Sequence, residues 1–133
     1  MKALTVHQPW ADAIAYGSKR TENRSWTPPA SAVGGTILIH AGKTYDPMAR
    51  FLITDRDALD SWPDARGAII ATAVLAGHHR ADGCCSPWGD ARGHHWQLAD
   101  VQPLAEPVPC RGAQRLWTPT TSTIQRIIRT AND

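Results

Sequence analysis

The sequence predicts an α+β fold, a small open β-barrel with helices packed on its ends. Three observations carry that reading. The 133 residues, 42% of them hydrophobic, are enough for one domain (1–133) with a real core but not for two. Short runs rich in β-branched residues alternate with turn-forming stretches, TILIH (36–40) and AIIATAVL (68–75) being the clearest. Three segments show helical spacing, and no repeat or low-complexity tract divides the chain. Many strands and few helices in one small domain suit a barrel with helical plugs.

In chain order, residues 3–7 read as a short strand. Pro9 opens a helix, where its missing N–H costs nothing. Trp10, Ala13 and Ile14 follow at helical spacing, and Gly17 supplies the stop. Residues 19–26 are polar and form a strand or an extended loop. Pro28, Pro29 and the Gly34-Gly35 pair make 27–35 a loop. After the strand at 36–40, residues 46–60 read as a helix that buries Met48, Phe51, Leu52 and Leu59, broken off by Pro63 and Gly67. The run 68–75 is the most buried strand, and 78–93 a loop rich in Gly, His and Cys. Residues 95–98 and 101–108 give two further strands, with Pro103 and Pro107 at edges or bends. A last helix spans 121–130, with Ile124, Ile127 and Ile128 as its apolar stripe and Thr121 or Ser122 as its cap.

Composition narrows the function. The formal net charge of +2 permits nucleic-acid binding but supplies no global field, so phosphate contacts must come from a local cluster. No apolar run reaches the length of a membrane span. The opening MKALTV is interrupted too soon by His7 to be a signal peptide, and a cytoplasmic address is expected. Three cysteines, two of them adjacent, argue against a disulfide framework and for free thiols. His78-His79, Cys84-Cys85 and His94-His95 invite a zinc reading. Paired ligands usually sit two to four residues apart, however, and neighbours on an extended chain point to opposite sides. No metal and no cofactor are expected.

The phrases HQPWA (7–11) and GSKRTENRSW (17–26) place tryptophans, cations, a carboxylate and amides around one helix. Lys19 offers a mobile point charge for phosphate, and Arg24 a planar fork for a phosphate or a base edge. Trp10 or Trp26 can stack a splayed base. Glu22 and Asn23 can pair with a base edge, and Glu22 can also orient Lys19 and Arg24. The plainer alternatives are indoles packed at a helix–barrel junction and surface ion pairs on a strand edge, worth little.

These phrases resemble the ASCH (activating signal cointegrator homology) family of PUA-like barrels. IHA (39–41), GAII (67–70), WQL (96–98), PVP (107–109) and RLW (115–117) follow in the family's order, over almost the whole chain. The resemblance implies a PUA-like small β-barrel with a basic cleft beside the first helix, lined by the K-x-x-E-x-R residues Lys19, Glu22 and Arg24. It implies a nucleic-acid partner, RNA or single-stranded DNA, met by Gln8, Trp10, Lys19, Glu22, Asn23, Arg24, Trp26 and His40. Some family members are hydrolases. A branch acting on acylated cytidine nucleosides uses a lysine, a threonine and a glutamate; Lys19 and Thr21 are present here, and Glu22 would have to substitute for the glutamate. The glutamate position seven beyond the central strand's glycine is Val74, which cannot move protons. A ribonuclease would need His40 or His7 as base and Lys19 or Arg24 to stabilise the phosphorane.

Overall fold

The computed structural model describes residues 1–54 and 56–132. Its strands are β1 (Lys2–Gln8), β2 (Thr21–Arg24), β3 (Thr36–Tyr45), β4 (Ala68–Arg80), β5 (His94–Pro109) and β6 (Leu116–Trp117). Its helices are α1 (Trp10–Ala15), α2 (Ala49–Leu52), α3 (Arg56–Ser61) and α4 (Thr121–Asn132), with a 3-10 turn at Ala30–Ala32. All six strands join one mixed sheet in the order β2-β5-β4-β3-β1-β6. β1 runs parallel to β3, and the other pairings are antiparallel.

The sheet is curled but open. Its edge strands β2 and β6 share no ladder among the described residues. Register shifts along β4–β5, at Ile69/Ala71, Thr72/Val74 and Leu75/Gly77, bend and twist that long ribbon. Across the remaining seam the Arg24 guanidinium on β2 donates to the Thr5 carbonyl on β1 at 2.9 Å. A side chain, and no strand pairing, ties the two sides there.

Both sheet faces are apolar, because each is covered. Leu4, Val6, Ile37, Ile39, Ile70, Leu75 and Trp96 pack with Ile14 of α1 on one side. The alternating residues Ala3, Leu38 and Ile69 pack with Leu104, Val108 and Ile127 of α4 on the other. Gly17 follows α1 where a Cβ would lie 2.8 Å from the Ala13 carbonyl oxygen and 2.9 Å from Trp62, so the chain turns there only without a side chain.

Several expected boundaries move. The central strand continues through His78 and His79 to Arg80, and the two strands expected at 95–98 and 101–108 are the single β5. The helix expected at 46–60 is two short ones (Asp55 lies outside the described residues). Ile53 leaves helical geometry and is buried with Ala49 and Leu59 against Trp10, Trp62 and Trp88. That rotation turns Met48, Phe51 and Leu52 outward, Phe51 being 75% exposed. Only Leu59 of the four expected core residues is buried. On α4, Ile127 is buried while Ile128 faces solvent, and the cap is Thr120, whose Oγ1 accepts from the Thr123 N–H at 3.2 Å.

Candidate functional site

The seam between β1 and β2 opens, under α1, into a hollow of ≈ 560 Å³, within the roughly 300–1,000 Å³ usual for small-molecule sites. Its floor comes from β1 and β2, including Thr5, Glu22 and Arg24. Trp10 of α1, Trp88 of the loop 81–93, Asp46, Leu52 and Asp90 also line it. The two indoles meet edge to face, centroids 6.4 Å apart.

Lys19 is the pivot. Its side chain is buried, and Nζ donates to the Thr21 carbonyl. The same ammonium lies 3.6 Å from Glu22 Oε1 and 5.6 and 5.9 Å from the Trp10 and Trp88 ring centroids. Burial pushes its pKa below the usual lysine range, against the opposing pull of Glu22 and Asp90. Glu22 spends its other oxygen on Arg24, accepting from Nη2 at 2.7 Å and Nε at 3.1 Å. Glu22 and Arg24 lie two apart on a strand and so share its cleft-facing side. Glu22 thus holds both cations in place.

The hollow is not basic. Two cations, Lys19 and Arg24, face three carboxylates, Glu22, Asp46 and Asp90. Asp46 is tied down by the Trp10 indole N–H at 2.9 Å. The expected cationic cleft is corrected by these acidic partners, two of which, Asp46 and Asp90, lie outside the motif.

The other expected site residues divide. Asn23 lines the hollow and clamps its far wall: Nδ2 donates to the Trp88 carbonyl at 2.9 Å, and Oδ1 accepts from the Asp90 N–H at 2.8 Å. Gln8 is buried beneath α1, bonded to Asp12 and the Ala65 carbonyl. Trp26 packs edge to face on Trp96 at 4.7 Å, under the Arg115 guanidinium. Neither residue lines the hollow, nor does Thr21, of which the carbonyl alone reaches Lys19. His40 is on the far side of the sheet's wall, where Nε2–H donates to the Cys110 carbonyl at 2.9 Å and Nδ1 accepts from Thr5 Oγ1 at 3.1 Å. Burial lowers its pKa. His7 does line the hollow.

Sequence reasoning missed Trp88, Asp46 and Asp90. The one available signal was Trp88 itself, a tryptophan inside a glycine-rich loop with no apolar run around it. The loop also gathers His79, Cys84, Cys85 and His95 into one cluster, which the spacing argument had kept apart, and it joins Cys84 to Cys85 where free thiols were expected.

A model of the ASCH domain matches residues 4–106. No curated protein sequence matches the chain. Among solved structures it is similar to the ASCH protein of Zymomonas mobilis, at 17% identity with a TM-score of 0.60, over 96% of this chain and 93% of that one. Two single-substitution variants of that protein match at 16% identity and a TM-score of 0.61, each over 96% of this chain and over 96% and 94% of their own.

Proposed function

The chain belongs to the ASCH domain family, and from that premise we propose that its hollow receives one nucleobase of an RNA or single-stranded DNA. The observation that carries this is the ordered Lys19–Glu22–Arg24 group under two indoles. An indole face stacks any base. Below it, a carboxylate and two fixed cations offer an acceptor and donors to a base's pairing edge. Because carboxylates outnumber cations around the hollow, the backbone phosphates contribute little, and the grip is aromatic and polar. One or two phosphate contacts give a log–log salt slope of only about −1 on a single strand.

A hydrolytic reading has one observation in its favour: a buried lysine of depressed pKa in contact with a carboxylate, the pairing a proton-transfer site needs. Its substrates would be an RNA strand or an acylated cytidine. The position of Thr21 away from the hollow weighs against the lysine–threonine–glutamate version.

The test is to mix the purified protein with RNA, single-stranded DNA, duplex DNA and acylated cytidine, reading tryptophan quenching, retention and products together. Retention of intact single strands with a shallow salt slope, lost in Trp88→Ala, supports the proposal. Shortened RNA or a released carboxylic acid supports the hydrolase. Tight duplex binding with a steep salt slope, unchanged in Trp88→Ala, overturns both.

A further inference from the structure

Behind the hollow's far wall, four side chains with metal-ligating atoms converge. His79 on β4 and His95 on β5 are direct cross-strand partners, so both rings leave the same face of the sheet. From the loop above them come Cys84 and Cys85. The four ligand atoms all lie within 4.8 Å of one another. His79 Nε2 is 3.6 Å from each sulfur, and His95 Nδ1 is 3.8 Å from Cys84 Sγ.

We propose that, with Cys84 and Cys85 reduced, this cluster binds one zinc ion as a tetrahedral Cys2His2 site. The sulfur–nitrogen distances are close to what the ion demands. Zinc bonds of about 2.3 Å to sulfur and 2.0–2.1 Å to nitrogen, at tetrahedral angles, place S and N roughly 3.6 Å apart. The imidazoles are also set for the task. His95 Nε2–H donates to the Asp90 carbonyl and His79 Nδ1–H to the Arg80 carbonyl, each at 2.8 Å. A carbonyl can only accept, so the other nitrogen of each ring turns a lone pair toward the sulfurs. Zinc-binding histidines are ordinarily oriented by this kind of outer bond.

Two backbone features make the cluster possible. Cys85 has φ +71°, a left-handed kink that brings neighbouring side chains to one side where an extended chain would separate them. At Gly89 a Cβ would stand 2.7 Å from the His95 ring and 2.9 Å from Cys85 Cβ, so the loop wraps the cluster only with glycine there. Cys84 and Cys85 are joined as a disulfide in the structure. A thiol reductant, ending as its own disulfide, or a phosphine with one water, ending as the phosphine oxide, supplies the two electrons and two protons that turn that bond into two thiols. Zinc then displaces both thiol protons and is held by two thiolates and two neutral imidazoles.

The site would be structural. It lies at the root of the loop that carries Trp88 and Asp90, and Asp90 bridges His95 to Asn23 through its own carbonyl and N–H. The experiment uses the full chain treated with a phosphine reductant and chelator, with alkylation and mass spectrometry verifying free thiols at Cys84 and Cys85. Zinc is then titrated against a chromophoric chelator, and cobalt(II) is added in parallel. We expect one zinc per chain and a cobalt spectrum with tetrahedral d–d bands and thiolate charge transfer. Cys84→Ser and His79→Asn should each weaken binding by more than the ~10–100-fold that follows loss of an outer-shell partner, with circular dichroism checking that both variants fold. Verified free thiols with no zinc retained above the level of the Cys84→Ser/Cys85→Ser double variant would overturn the proposal. So would octahedral cobalt without charge transfer.

Discussion

Replacing Glu22 by Gln tests the electrostatic core of the site. The substitution keeps the shape but removes the carboxylate charge that is ion-paired with both Lys19 and Arg24. Leaving a buried ion without its partner costs about 3–5 kcal/mol. The Arg24 side chain is 22% exposed and can rehydrate, whereas that of Lys19 is 3% exposed and cannot, so the low end, about 3 kcal/mol, applies. In a domain of this size that is a fall of roughly 10 °C in Tm. The loss should also depend on pH. Burial already holds Lys19 below its ordinary 10.5, and Glu22 opposes that shift. Without Glu22 the folded-state value drops further. Between that value and 10.5 the unfolded chain binds more protons than the native one, so stability rises with pH across the window and is lost toward its lower end. The variant's deficit should therefore shrink as thermal melts, followed by circular dichroism, are moved from pH 7 toward pH 10. A variant that melts with the parent, or a deficit that stays constant over that range, would refute the reasoning.

Asn23→Ala removes both clamps on the loop bearing Trp88 and Asp90. It should cost ~1–3 kcal/mol, speed amide exchange at residues 88–90 and weaken single-strand binding while leaving the sheet's exchange unchanged. Phe51→Ser should change stability by no more than ~0.5 kcal/mol in urea unfolding, as suits an exposed side chain; a larger loss would mean that Phe51 belongs to the core after all. His40 is held below its ordinary 6.5 by burial, so the native state binds fewer protons than the unfolded chain just below 6.5. Stability falls there as pH drops, by at most about 1.4 kcal/mol per pH unit. Melts of His40→Gln between pH 7 and pH 5 should show a visibly shallower decline than the parent.

Local pattern made β1, β3, β4 and α4 legible, because β-branched runs and a threefold–fourfold apolar stripe are properties of neighbouring residues. The pairing of Lys19, Glu22 and Arg24 was legible too, since their spacing suits one turn and strand. What failed was whatever depends on distant partners. Phe51 and Leu52 looked like core, but Ile53 wins the contact with Trp10, Trp62 and Trp88 and turns them out. Trp26 had the chemistry of a stacking residue, yet it packs edge to face with Trp96 and the Arg115 guanidinium lies over its ring. Trp88 and Asp90 reach the hollow through Asn23, a contact spanning more than sixty positions. The cysteine argument assumed extended backbone, and one left-handed residue removes that premise.

β1 is an interior strand whose two neighbours are both made later. It sits between β3, which begins at Thr36, and β6, which ends at Trp117. On a ribosome adding ~5–20 residues per second, its second edge waits several seconds or more for a partner. Nascent-chain crowding and chaperone capture should therefore act on this strand first, and a bulky fusion placed against Lys2 would burden assembly more than one placed after α4.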